Sequence, residues 1–108
     1  MAAAAILVLT HLPDRAAAQA LARVLVTGRL AACVNIGAPV ESMYHWRGEI
    51  ETASEIPLAI KASADRYPEL EAAIREHHPY ELPEIVAVPI SDGYEGYLDW
   101  IAAETRPR

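Results

Sequence analysis

Between Val40 and Ser63 the chain carries two strand-like runs around one tight-turn pair, and no other stretch restricts the fold as much. VESMYHW, Val40 to Trp46, alternates so that Val40, Tyr44 and Trp46 share one side and His45 the other. Arg47-Gly48 supplies the turn, because glycine accepts a positive φ without steric cost. EIETASEIPLAIKAS, Glu49 to Ser63, returns as the antiparallel partner. A register centred on that turn sets Tyr44 opposite Glu51, and Val34 opposite Lys61 if no bulge intervenes. Pro57 cannot donate to a ladder, so it calls for an edge or a bulge.

The remaining segments complete a pattern around this hairpin. Ala5–Leu12 (AILVLTHL) is a short apolar run, fit for a strand buried on both faces. Pro13 and Asp14 open a helix over a run of strong helix formers, with Leu21, Val24 and Leu25 as its stripe and Gly28 as its C-cap. ACVNI, Ala32 to Ile36, starts the second strand, and Gly37 to Pro39 breaks it before Val40. Asp65, Pro68 and Glu69 begin a second helix with Leu70, Ala73, Ile74 and His77 as its inner stripe. Pro79 ends it near His77 or His78. Glu84–Ile90 forms a fourth strand, apolar on both faces, and Glu95–Glu104 a short terminal helix with Leu98, Ile101 and Trp100 inward. The expected class is α+β, a ferredoxin-like βαββαβ sandwich with a short C-terminal helix, one domain over residues 1–108.

Two crossover helices cover one face of a four-stranded sheet. Strands apolar on both faces therefore need a second cover, and each buried aliphatic side chain contributes about 1.5–3 kcal/mol. Self-association supplies that cover, with the terminal helix as the competing solution.

The net charge of −6 disfavours a phosphate backbone, so nucleic acid is not an expected partner. The single cysteine, Cys33, cannot close an intrachain disulfide and suits a reducing compartment. The start of the chain, MAAAAILVLTHLPDR, lacks a basic leader and reads as a strand and turn, neither a signal peptide nor a membrane span. A cytoplasmic protein without a membrane partner is expected.

AACVNI (Ala31 to Ile36), SMYHWRGEIE (Ser42 to Glu51), Ile60-Lys61, HPYELPEIVAVPI (His78 to Ile90) and GYLDWI (Gly96 to Ile101) follow in this order. Together they resemble the CutA family of divalent-cation tolerance proteins over nearly the whole chain. The resemblance implies a tight homotrimer, similar in architecture to the PII signalling proteins, whose extended hairpin between the second and third strands reaches a neighbouring chain. It also implies a response to divalent metal ions, with copper binding reported for the family. Animal relatives are linked to protein anchoring, so an interaction scaffold is an alternative role. Some relatives carry further cysteines proposed as copper ligands, whereas this chain has one.

Three groups of side chains could carry chemistry. Cys33 and His78, then His77, are the metal-ligand candidates: thiolate suits Cu(I), imidazole suits Cu(II), and Zn(II) is the alternative ion. No ion is expected to be needed for folding. His77 and His78 are adjacent and lie about 100° apart on a helix, so they do not easily hold one ion. Each has a plainer reading: His77 complements a helix C-terminus, and Cys33 is a small buried hydrophobe. The second group, Tyr44, Trp46, Lys61, Tyr80 and Glu81, fits a cleft for a small-molecule ligand in a PII-like trimer, or interface packing. Lys61 needs a partner there, with Glu81 expected. The third, Glu49, Glu51 and Glu55, projects from one strand face and reads as a weak cation site or a solvated edge. His11 and His45 read as surface or interface residues. No catalytic residue is assigned: a Cys33–His78 pair lacks an orienting third group, and an enzyme is not expected.

Overall fold

The computed structural model describes residues 4–107. The first three residues of the apolar lead-in fall outside that range. The elements follow as β1 (Ala5–Leu12), α1 (Arg15–Thr27), β2 (Cys33–Ile36), β3 (Val40–Trp46), β4 (Glu49–Ser63), α2 (Tyr67–His77), β5 (Val86–Pro89) and α3 (Glu95–Glu104). β2 and β3 are the two halves of the expected second strand. All strand pairings are antiparallel, in the order β2-β4-β1-β5, with β3 continuing along β4 beyond β2. This is the split βαβ arrangement.

Local chemistry explains the element ends. The Asp14 carboxylate accepts from the Ala17 amide at 2.8 Å and caps α1. Gly28 follows the helix as its C-cap, but the left-handed residue is Arg29, at φ 58°. Arg29 then donates through Nε to the Arg106 carbonyl and through Nη2 to the Ala103 carbonyl, each at 2.8 Å, which ties down the end of α3. Pro68 lies in the first turn of α2, and Pro79 forces His78 into extended backbone at ψ 133°. Arg47 and Gly48, at φ 50° and 82°, make the hairpin turn.

The core lies between α1, α2 and one sheet face. Val8, Leu12, Leu58 and Ile60 from the sheet meet Leu21, Leu25, Leu70 and Ile74 from the helices, all essentially inaccessible. His77 is exposed and not part of the inner stripe; its ring is bonded back to the Ala73 carbonyl of its own helix. Trp100 is likewise outside the core, stacked on Tyr97 with ring centroids 5.4 Å apart, while Ile101 points inward. The fourth strand is shorter than expected and exposed along its length, since among the described residues β1 is its single strand neighbour.

The other sheet face is covered in part. α3 lies over one end, fastened by the Ser63 and Thr105 hydroxyls at 2.6 Å. Beyond it, Leu7 and Leu9 are half-buried and Val86 and Val88 are exposed. The terminal helix alone therefore does not provide the second cover.

Pro57 sits on the central strand, not at an edge. Between the pairs Ile36↔Leu58 and Val40↔Glu55, residues 37–39 face only residues 56–57, which is a bulge of one residue. The Gly37 amide donates to the Pro57 carbonyl at 2.9 Å, so that side of Pro57 faces the break. A strand residue's amide and carbonyl point the same way, so the missing donor of Pro57 falls where the ladder is already interrupted. A Cβ on Gly37 would stand 2.9 Å from Pro57 Cγ, which explains glycine at the break.

Candidate functional site

The hairpin of β3 and the first half of β4 projects beyond the sandwich, with Tyr44 paired to Glu51 as the turn dictates. The bulge alters the next part of the register: Cys33, not Val34, faces Lys61. A slip of one residue exchanges faces, so Val34 joins the core side and Cys33 the open side.

Between the projecting hairpin and the loop after α2 lies a groove of about 760 Å³. Tyr44 and Trp46 come from β3, Glu55 from β4, and Tyr80, Glu81 and Glu84 from the loop. His78 builds this corner. Its Nε2–H donates to the His11 carbonyl at 2.7 Å and its Nδ1 accepts from the Tyr80 amide at 3.1 Å. With an acceptor at one nitrogen and a donor at the other, the neutral ring is selected. Burial, at 8% exposure, pushes its pKa down, against weaker opposing effects of the His11 carbonyl and the Glu55 charge. The ring packs 4.8 Å from that of Tyr80.

Tyr80 in turn donates its hydroxyl to Glu55 Oε2 at 2.8 Å. Burial first, then the hydrogen bond and charge of Glu55, hold the phenol well above its usual pKa, so it stays protonated. Glu55 itself is 8% exposed. Of the carboxylate row expected to be solvated, Glu49 and Glu51 are exposed, but Glu55 is enclosed because Tyr80 closes over it. On the loop, Glu81 pairs with Arg47 at 2.8 Å and Glu84 with His11 Nδ1 at 3.2 Å. Arg47 also lies 5.2 Å over the Trp46 ring.

The expected aromatic cluster is thus divided. Tyr44, Trp46, Tyr80 and Glu81 share the groove, while Lys61 lies elsewhere. Lys61 finds Asn35 rather than Glu81, donating to Asn35 Oδ1 at 2.8 Å, and stands 5.9 Å over the Tyr97 ring. The Cys33 thiol donates to the same Asn35 oxygen at 3.7 Å. The bulge causes this exchange, since it turns Cys33, Asn35 and Lys61 to one side.

The metal-ligand candidates are also separated. Cys33 is level with Leu7 of β1 through Lys61, and His78 is bonded at His11. Four residues of β1 separate those levels, about 13 Å of strand. His77 Nδ1 is bonded to the Ala73 carbonyl at 2.9 Å, a contact within its own helix. Among the described residues no group of three or more His, Cys, Asp or Glu side chains could hold a metal ion. Within one chain, Cys33, His77 and His78 therefore do not fit a shared copper centre, and both His78 nitrogens are already engaged. The sequence reading missed Glu55 and His11 as parts of the groove; the adjacent Pro79-Tyr80 was the available signal, since it marks where the loop folds back.

The family model described as CutA1 divalent ion tolerance protein matches residues 6–104. The chain belongs to the CutA1 family. The divalent-cation tolerance protein CutA of Thermus thermophilus is 42% identical over 98 residues, covering 91% of this chain and 95% of the relative. The solved structure of that organism's divalent cation tolerance protein superposes with a TM-score of 0.92 at 40% identity, covering 94% of this chain and 99% of the other. CutA1 from Oryza sativa reaches 0.94 at 35% identity, covering 97% and 96%. A CutA from Archaeoglobus fulgidus, described as periplasmic, gives 0.91 at 32% identity, covering 94% and 99%. Among the described residues, no helix of this CutA1 chain is long and apolar enough to cross a membrane.

Proposed function

We propose that the chain serves divalent-cation tolerance as a cytoplasmic homotrimer that binds ions and catalyses no reaction. The observation that carries the assembly is the partly covered sheet face, where Leu7, Leu9, Val86 and Val88 extend beyond the reach of α3. Such a strip is an association surface, and the projecting hairpin offers each copy a second point of contact. Copper is the favoured ion and zinc the alternative, with donors gathered from more than one copy. Cys33 is the leading donor, half-buried on the open side and free of disulfide, and His77 is the exposed imidazole. His78 serves the fold, because metal binding at either nitrogen would break one of its two hydrogen bonds.

The test combines size exclusion with light scattering and a chelator competition with Cu(II), then Zn(II). A mass of three chains and saturable copper binding lost in Cys33→Ser are expected, with His78→Ala retaining binding wherever it stays assembled. A monomer overturns the assembly. Copper binding unchanged in Cys33→Ser and His77→Ala overturns the donor assignment. Fractionation of the source cells tests the compartment.

The groove at Tyr44, Trp46 and Tyr80 supports a second reading, a regulatory trimer that binds a small molecule. Its volume falls within the usual range for such sites.

A further inference from the structure

We propose that the groove between the hairpin and the loop after α2 takes an organic cation, an aliphatic amine with an N–H to donate. This rests on the reading of the groove as a small-molecule site. The argument begins with charge. Glu81 is compensated by Arg47 at 2.8 Å, and Glu84 faces His11 at 3.2 Å. Glu55 has no cationic partner among the described residues, although it is 8% exposed. Its Oε2 accepts from Tyr80, and its Oε1 is not among the buried atoms left without a partner, so it opens on the groove. A largely buried carboxylate that turns an accessible oxygen to the cavity it lines can accept from a donor there, and an ammonium is the strongest one.

The walls narrow the class. Tyr44, Trp46 and Tyr80 border the same cavity, and aromatic faces attract cations; Arg47 already lies over the Trp46 ring, which leaves the exposed Tyr44 ring for a ligand. The register places Tyr44 and Trp46 on the same side of the hairpin as Glu55. An inorganic ion fits less well. The groove is far larger than an ion, and among the described residues its acidic and imidazole groups are not clustered as a metal requires. A quaternary ammonium would use the rings but leave Glu55 Oε1 without a donor. An alkylamine uses both, with its chain along the rings and its head at Glu55. An anion would meet Glu55, Glu81 and Glu84 together.

The measurement is a titration of the full-length Trp100→Phe protein, in which Trp46 is the sole tryptophan reporter. The probes are butylamine, butane-1,4-diamine, tetramethylammonium, butyrate and inorganic phosphate. Saturable shifts with the two amines are expected, with tetramethylammonium weaker. Glu55→Gln, which keeps an acceptor for Tyr80, should weaken amine binding about tenfold. Tyr44→Ala, which removes one wall ring and leaves the Glu55–Tyr80 hydrogen bond, should weaken it too in protein that stays assembled. Amine binding unchanged in both variants overturns the assignment to this groove. Binding of butyrate or phosphate, lost in Tyr44→Ala, overturns the cation class and leaves the groove as a ligand site. No response to any probe, with the variants folded and assembled, overturns the amine proposal and counts against the small-molecule reading with it.

Discussion

Replacing His78 by alanine tests whether the groove depends on one enclosed ring. The ring joins two chain segments 67 residues apart through the His11 carbonyl, and shapes the loop through the Tyr80 amide. Each bond contributes about 0.5–1.5 kcal/mol net, and a partner left unpaired in a buried place costs about 1–3 kcal/mol. Adding the packing lost under an 8%-exposed side chain, and allowing water to satisfy part of the gap, the expected loss is about 2–4 kcal/mol. Guanidinium unfolding at pH 8 and one fixed protein concentration measures it, since assembly makes apparent stability depend on concentration. The pH profile adds a sharper test. The folded state holds His78 neutral, because burial keeps its pKa below the 6.5 of a free imidazole. As pH falls through 6.5, the unfolded chain takes up a proton that the folded chain refuses, so stability declines toward the lower folded pKa. The alanine variant lacks this term, so the gap between the two proteins should narrow in acid. A loss below about 1 kcal/mol at pH 8, the net worth of a single hydrogen bond, or a gap that widens in acid, would refute the reasoning.

Three further outcomes follow from other residues. Thr10 is fully buried on the helix side and, among the described residues, its hydroxyl has no hydrogen-bond partner, so Thr10→Val should stabilise by about 1 kcal/mol in denaturant unfolding. Gly37→Ala should destabilise by about 1–3 kcal/mol, since its Cβ would press on Pro57 Cγ at 2.9 Å, and the amide exchange of the bulge should quicken most. Tyr80→Phe should cost about 1–3 kcal/mol at neutral pH by stripping Glu55 of its donor. The folded state keeps Tyr80 protonated while the unfolded phenol ionises near 10.0, so the parent loses stability as pH rises past that value and the variant should lose less.

The elements of the fold were legible because each rests on local chemistry. Asp14 at a helix start, Pro79 as a helix stop and Arg47-Gly48 as a turn act within a few residues, and all three operate as expected. Tyr44 opposite Glu51 followed from the turn alone. The partners of Lys61 did not, because one extra residue at 37–39 exchanges Val34 for Cys33 across from it. Nothing local fixes how many residues a bulge absorbs. The enclosure of Glu55 was hidden for a related reason. It depends on Tyr80, which arrives from 25 residues away and is held by a histidine read as a ligand candidate. Alternation could place Glu55 on a face but could not say what would cover that face.

The same bulge explains how one strand serves both the core and the groove. In β2, Val34 and Ile36 pair with Ile60 and Leu58 on the helix side of the sheet. Tyr44 and Trp46 are also even-numbered, and in an unbroken strand they would point the same way. They would then lie on the side opposite Glu55. The extra residue reverses the parity after Pro39, so Tyr44 and Trp46 share a side with Glu51, Glu49 and Glu55 while Val34 and Ile36 stay packed against the core. Pro57 marks where this happens on β4, and its missing donor costs little there because Gly37 meets the carbonyl alone. The irregularity that obscured the register is thus the feature that brings an apolar strand, an aromatic wall and an enclosed carboxylate together on one hairpin.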